Sequence, residues 1–333
     1  MKLLIVGGTG NISWRSAQAA LAAGWEVTLL NRGAPSRIRR PAPPGCRVLL
    51  ADIRDPAAVF AQLEGQCFDV VLDVLCYNAP QAEQVLDYFA GRTGHYLFVS
   101  TTGMYDRASA RLPFTEEAAL LTHGWPYAVG KRQAEEVLLA AWRERGFPVT
   151  VVRAAHTYDT IVPVAVGDPD WTIPWRMQNH RPILLHGDGT TLWTLTHSSD
   201  FARAVMGLYG NPESFGEVFH ITSDEVLTWR EITLALARAL RVDPPDLRYR
   251  TSAEIAAASP RQGEVILWHK MWCDIYDNAK IKRFCPDWRA EVTLEQGLAE
   301  LVAYFCNDPR LLIPNDEVNR LLDTLCAQAQ AHG

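Results

Sequence analysis

Apolar residues follow two rhythms over the first half of the chain. Short apolar runs at Leu3–Val6, Glu26–Leu30, Val48–Leu50, Val70–Leu75, Tyr96–Ser100 and Val149–Arg153 predict strands. Helical spacing between them predicts helices at Trp14–Ala23, closed by Gly24, and at Pro56–Leu63, Gln81–Ala90 and Tyr127–Arg145. A Pro- and Arg-rich loop fills Gly33–Gly45. Strands that alternate with helices imply parallel βαβ units. The expected fold is therefore α/β, a doubly wound parallel sheet of the Rossmann type.

The texture changes after residue 155. Seven of the eleven tryptophans lie between Trp171 and Trp288, and the predicted segments are shorter and less regular. They are Ile183–Leu185, Leu192–Thr196, Asp200–Tyr209, Val218–Ile221, Trp229–Ala239 and a late helix at Leu294–Phe305. The tail at Asp316–Ala329 has an amphipathic pattern. We expect a dinucleotide-binding domain at 1–155 and a smaller mixed α/β substrate lobe at 156–333. Helix Asp200–Tyr209 is expected to pack back on the first domain.

Composition narrows the function. A chain of 333 residues with 48% hydrophobic content has material for a full core, which excludes a disordered chain. No apolar run is long enough for a membrane span, and the N-terminal run passes straight into glycines, unlike a signal peptide. A net charge of −6 argues against a nucleic-acid binder that works by bulk charge. Seven scattered cysteines without a CxxC motif predict reduced thiols, a cytoplasmic setting and no metal site.

Strand Leu3–Val6 runs directly into Gly7-Gly8-Thr9-Gly10-Asn11-Ile12-Ser13 and then a helix. Glycines there allow a tight turn and close approach to a pyrophosphate, which the helix N-terminus then attracts. The loop residues Gly7, Thr9, Gly10, Asn11 and Ile12 are thus expected cofactor contacts. The third glycine of the spacing is Ser13, the next smallest option for packing the helix on the strand. The second strand ends in Asn31-Arg32 rather than the Asp or Glu that bonds a ribose 2′-hydroxyl. Arg32, followed by Arg37, Arg39 and Arg40, suits a 2′-phosphate, so NADP(H) is favoured over NAD(H). Asp52 is placed for an adenine contact, and Ile53 and Leu75 complete the expected cofactor set.

Tyr127-Ala128-Val129-Gly130-Lys131 opens the long helix and sets Tyr and Lys a turn apart on one face. An ammonium beside a phenol favours phenolate, so the expectation is a lowered Tyr127 pKa and a residue able to pass a proton. With this pair, the glycine loop, Arg153-Ala154-Ala155-His156-Thr157-Tyr158, Gly187-Asp188-Gly189 through Asp200-Phe201-Ala202-Arg203-Ala204, and Asp277-Asn278-Ala279-Lys280, the chain resembles the extended short-chain dehydrogenase/reductases. The resemblance is to the NAD-dependent epimerase/dehydratase family and spans residue 3 to about 305. The opening Gly-Gly-Thr-Gly and the Asn-Arg-Gly also look like the atypical branch that includes the chloroplast stem-loop-binding proteins.

The resemblance implies that Tyr127 is the acid/base, that Lys131 binds the nicotinamide ribose and tunes Tyr127, and that Thr101 bonds the reacting substrate oxygen. Thr102 is the second choice for that hydroxyl. Family dehydratases carry an Asp-Glu pair where this chain has Thr102-Gly103, which disfavours elimination. The Arg that grips a nucleotide-sugar diphosphate is replaced by Trp193, which points to a substrate without that diphosphate. Trp171, Trp175 and Trp193 are candidates to stack on sugar faces. Asp159, Asp168 and Asp170 are candidates to attract ammonium groups, and Arg176 or Arg181 to replace the missing diphosphate Arg. His156 and His197 are candidate pocket residues. The first expectation is an NADP(H)-dependent reductase acting on a keto group of a sugar or aminosugar-like secondary metabolite, as in antibiotic biosynthesis. The alternatives are a nucleotide-sugar epimerase that retains NAD, and an RNA-binding or scaffold protein on the same fold. A small-molecule partner and a homodimer are expected; nucleic acid and membrane are not.

Overall fold

A computed structural model describes residues 1–33 and 40–331. The chain divides into two compact units. The first comprises Met1–Thr157, Ser198–Thr222 and Asp277–Ala290. The second comprises Tyr158–His197, Ser223–Tyr276 and the chain from Glu291 onward.

The first unit contains β1 (Lys2–Val6), α1 (Asn11–Ala22), β2 (Glu26–Asn31), β3 (Arg47–Leu50), α2 (Pro56–Leu63) and β4 (Val70–Asp73). It continues with α3 (Ala79–Phe89), β5 (Tyr96–Thr101), α4 (Pro126–Arg145) and β6 (Val149–Ala154). These strands and Val218–Ile221 form a seven-stranded parallel sheet. Its order is Val218–Ile221, β6, β5, β4, β1, β2, β3. The chain moves outward from β1 in opposite directions, so a crevice opens at the C-terminal end of β1.

Both faces of the sheet are covered. Ala17 and Ala20 of α1 and Phe201, Ala204 and Val205 of helix Ser198–Leu208 bury against one face. Ala82 and Val85 of α3 and Ala134 and Leu138 of α4 bury against the other. Double coverage explains why the strands read as unbroken apolar runs.

Boundaries shift where side chains capture the backbone. The β4 strand stops at Asp73, not Leu75, because the Asp73 carboxylate accepts from the N–H groups of Leu75 (2.6 Å) and Cys76 (3.1 Å). The α3 helix starts early because the Asn78 side chain caps it, accepting from Gln81 N–H at 3.0 Å. The α4 helix ends at Gly146, whose φ of 67° supplies the left-handed turn.

The second unit is built around Trp171, Trp193 and Trp229, all fully buried. Trp193 and Trp229 lie with ring centroids 4.6 Å apart, and Trp171 stacks on Phe305 at 4.9 Å. Strand Leu192–His197 pairs antiparallel with Val226–Thr228, and Ile183–His186 pairs parallel with Leu247–Arg250. Helix Asp316–Ala327 docks on this core through Val318, Leu322, Leu325 and Cys326.

A buried ion pair joins α4 to β6. Arg153 donates to Glu135 at 2.7 Å with both side chains almost fully buried, and also bonds the Tyr105 hydroxyl at 2.9 Å and the Glu116 carbonyl at 2.8 Å. Arg153→Met leaves Glu135 buried without its guanidinium and should cost about 3–5 kcal/mol of stability. Glu135→Gln on that background should restore part of the loss, read from denaturant midpoints; additive losses would mean the pair is not coupled.

Candidate active site

The glycine loop forms because side chains are missing where strands crowd it. Gly7 has a φ of +86°, and a Cβ on it would lie 2.8 Å from Leu75. A Cβ on Gly8 would lie 2.5 Å from Leu29. Ser13 does more than replace a glycine by the next smallest residue. Its hydroxyl donates to the Gly7 carbonyl (2.5 Å) and accepts from Gly10 N–H (3.0 Å), tying the turn shut. Asn11 donates from its amide to the Thr157 carbonyl at 2.8 Å. Gly10 caps α1, and the first turn of α1 carries no acidic side chain, so its positive end remains suited to an anion.

A cavity of about 740 Å³ opens beside the loop. Thr9, Asn31, Arg32, Asp52, Ile53 and Leu75 all line it, so the structure gathers six of the expected cofactor residues around one space. The volume suits a dinucleotide-sized ligand. Gly7, Gly10, Asn11 and Ile12 form the turn at its base. Arg37 and Arg39 lie outside the described residues.

Two lining residues, Arg54 and Tyr77, were not placed by sequence reasoning, and a third, Arg40, has a partner that the sequence did not show. Arg54 chelates Asp52 through two guanidinium nitrogens, at 3.0 and 2.6 Å, which holds the Asp52 carboxyl down at about 2. The Asp-x-Arg spacing of Asp52 and Arg54 was the available signal. Arg40 stacks over Trp14 at 4.4 Å, while the Trp14 indole donates to the Pro41 carbonyl at 2.9 Å. Tyr77 also lines the cavity, with its ring 6.3 Å from that of Tyr127.

Thr101, Tyr127 and Lys131 come together at the C-terminal end of β5. The Thr101 hydroxyl accepts from Gly103 N–H at 3.0 Å and lies close enough to the Tyr127 phenol to exert a lowering pull on its pKa. Lys131 is buried and donates to the Val99 carbonyl at 2.7 Å, with its ammonium over the rings of Tyr77 (4.7 Å) and Phe98 (4.8 Å). Gly130 makes this approach possible, since a Cβ on it would lie 2.6 Å from the Tyr77 carbonyl.

The electrostatics correct one expectation. Desolvation of the Tyr127 hydroxyl raises its pKa above the ordinary phenol value, against the lowering effect of Thr101. The shift runs away from phenolate, although the Tyr127 side chain as a whole is 40% exposed. The Lys131 ammonium is turned to the Val99 carbonyl, and burial draws its own pKa down to about 8.

The proposed substrate residues fare differently. Thr102 is fully buried and donates to the Ala154 carbonyl at 3.3 Å, so it has no hydroxyl to offer a substrate. Trp193 is fully buried, donates to the Trp272 carbonyl at 3.1 Å and belongs to the tryptophan core. Trp171 is core as well, and Trp175 carries the Arg181 guanidinium at 5.5 Å. Asp168 accepts from Arg261 and Gln262, Asp170 from Thr172 N–H, and Asp159 is fully buried 3.9 Å from His197. Arg176 and Arg181 both pair with Asp323. Packing and capping account for these groups; an irregular lobe with few strands needs side chains to satisfy its backbone. His156 is half-buried on strand His156–Tyr158.

Known proteins now bear on this geometry. The model of the NAD-dependent epimerase/dehydratase family matches residues 3–222. The chain belongs to that family. It is accordingly an NAD(P)-dependent enzyme of the short-chain dehydrogenase/reductase type. It is 26% identical over 293 residues to 2′-dehydrokanamycin reductase of Streptomyces kanamyceticus, covering 87% of this chain and 80% of the relative. It is 26% identical over 310 residues to a chloroplast stem-loop binding protein of 41 kDa from Arabidopsis thaliana, covering 90% and 78%. Among solved structures, an epimerase of Methanothermobacter thermautotrophicus superposes with a TM-score of 0.78 at 18% identity, over 93% of this chain and 94% of that one. No described helix is long and apolar enough to cross a membrane.

The two adjacent threonines should separate cleanly by mutation. Thr102→Val should cost roughly 1 kcal/mol of stability through its lost hydrogen bond and leave turnover near wild type. Thr101→Val loses the buried bond from Gly103 N–H and should cost a similar amount of stability, roughly 1 kcal/mol, but should also lower turnover. Denaturant melts with steady-state rates check this, and equal rate losses in the two variants would reinstate Thr102 as the substrate-facing hydroxyl.

Proposed function

We propose that this enzyme uses NADP(H) to reduce a keto group on a sugar or aminosugar, with Tyr127 as proton donor. The observation that carries the reading is the placement of Tyr127 one helical turn before the buried Lys131 and beside Thr101 at the end of β5. A protonated phenol can donate to a carbonyl oxygen as it gains negative charge, and a phenolate cannot. Thr101 orients that oxygen by hydrogen bonding. Lys131 holds the nicotinamide ribose and stabilises the tyrosinate left after proton transfer. The bound dinucleotide supplies the hydride.

The residues present fit such a cofactor. The α1 N-terminus and glycine loop suit a pyrophosphate, and the cavity gives volume for the adenosine end. The 2′-phosphate reading rests on charge. Asn31 and Arg32 stand at the end of β2, and the one carboxylate lining the cavity among the described residues, Asp52, is engaged by Arg54. Arg32 and Arg40 leave the same wall positive.

The substrate class is supported by the similarity to the Streptomyces kanamyceticus reductase, whose name specifies a dehydro-aminoglycoside. Trp193 no longer supports it, because that residue is core. The test compares NADPH consumption with keto-aminoglycosides against UDP- and dTDP-sugars. Turnover of the first group is the expected result. Interconversion of nucleotide-sugar epimers without added cofactor would replace this reading with an epimerase, and RNA binding without turnover would replace it with a scaffold.

Two variants test the machinery. Tyr127→Phe should lower turnover by about 10²–10⁴-fold while cofactor affinity is kept; near-wild-type turnover would remove Tyr127 from the mechanism. Arg32→Ala should weaken NADPH about ten- to hundredfold and NADH far less, as expected for losing a charge-assisted hydrogen bond. Equal weakening in titration calorimetry would mean that Arg32 does not read the 2′-phosphate.

A further inference from the structure

Near Lys131 lies a buried carboxylate that the family motifs quoted above do not include. Asp73 ends β4 with no solvent exposure. One oxygen accepts from the N–H groups of Leu75 and Cys76, and the other accepts from the Tyr96 hydroxyl at 2.6 Å. In register, Asp73 sits opposite Phe98 of β5, and the Lys131 ammonium rests 4.8 Å over the Phe98 ring. Asp73, Tyr96 and Phe98 thus share the sheet face on which α4 packs, and Leu75 and Tyr77, on the loop that Asp73 holds, line the cofactor cavity.

We infer that Asp73 is a positioning residue of the active site, whose buried carboxylate keeps Lys131 charged and fixes the loop at residues 75–77 against it. This rests on the reading of Lys131 as the cofactor-holding cation. The argument is one of compensation. A buried ammonium bonded to a neutral carbonyl loses its proton readily unless a negative charge stands near it. The charged and titratable groups that act on Lys131 are Cys76 from the loop, Asp73 from β4 and Glu135 from α4, with the rings of Tyr77 and Phe98 under its ammonium.

Most of these bring no free negative charge. Glu135 is committed to Arg153 at 2.7 Å. Burial pushes the Cys76 thiol up to about 12, so it stays neutral, and Tyr96 and Tyr127 are raised as well. Asp73 remains. Burial pushes its carboxyl up, but the Tyr96 hydroxyl, two backbone N–H groups and the Lys131 ammonium all favour the ionised form. Three donors around one carboxylate are the environment of a charge, not of a neutral acid.

The test follows cofactor affinity, not only activity, from neutral to alkaline pH by titration calorimetry with NADPH. Wild-type affinity should fall as pH rises through about 8, where Lys131 loses its proton. Asp73→Asn keeps the shape and removes the charge, so the fall should move down by about one pH unit. A purely structural role for Asp73 would weaken binding at every pH without moving that midpoint. An unmoved midpoint in Asp73→Asn overturns the inference. Lys131→Met should bind weakly and without the alkaline fall. If Lys131→Met keeps the wild-type fall, the role given to Lys131 is wrong and the inference goes with it. If Asp73→Asn does not fold, the Asp73→Asn/Lys131→Met double variant decides. Coupling requires the double variant to fold and melt cooperatively, because no unpaired ammonium is left buried. A double variant that also fails to fold overturns the inference.

Discussion

The hydrogen bond from the Lys131 ammonium to the Val99 carbonyl, 2.7 Å long and buried, is the contact on which the site depends. It joins the first turns of α4 to the end of β5. Tyr127, one turn before Lys131 on the same helix face, is thereby set beside Thr101 at the end of that strand. The contact needs two permissive features. Gly130 lets the helix come within reach of the Tyr77 carbonyl, and the aromatic faces of Tyr77 and Phe98 receive a cation that water no longer solvates. A larger residue at 130 would push α4 away from the loop after β4 and separate the two halves of the site.

At the other end of the crevice, the wall is made of charges arranged against each other. Asp52 is a carboxylate on the cavity wall, yet Arg54, two residues on in sequence, holds it in a two-point ion pair. Arg40 is fixed by Trp14, whose indole is itself tied to Pro41. A guanidinium stacked on a ring has lost much of its rotamer freedom before any ligand arrives. The positive character of this wall is therefore built into its packing and does not rest on Arg32 alone.

These details mark how far the amino-acid sequence could be read. The sheet, the glycine turn and the Tyr127–Lys131 pair are written in local patterns, because strand runs, turn residues and i, i+4 spacing act over a few positions. Six of the expected cofactor residues line one cavity for the same reason: they follow the ends of successive parallel strands. Trp193 was misread because an aromatic residue in an irregular lobe is equally suited to a core and a sugar platform. Only its stacking on Trp229 distinguishes them. Thr101 and Thr102 differ by which side of a strand end they face, which a threonine pair does not reveal. Asp73 and the Trp14–Arg40 stack were missed, since their meaning lies in tertiary partners, whereas Arg54 was missed despite its local Asp-x-Arg spacing. Asp73 does carry a faint local signal, an acidic residue closing an otherwise apolar strand run.

The state of Tyr127 bears on direction as well as mechanism. A phenol shifted above its ordinary pKa is an acid at neutral pH, able to give a proton to a carbonyl oxygen. The reverse reaction needs a phenolate to take the alcohol proton. On the proposed reading, neutral pH favours reduction, and oxidation gains only as the medium becomes alkaline. Alkaline medium also removes the Lys131 proton near 8, and with it the charge that supports a tyrosinate. The two demands conflict: the pH that frees the phenolate discharges its stabilising cation. A reductase escapes this conflict, because both groups are needed in their protonated forms at the start of the step. The carboxylate of Asp73 widens the pH range in which that holds, and in this way the closed end of β4 reaches the chemistry at the end of β5.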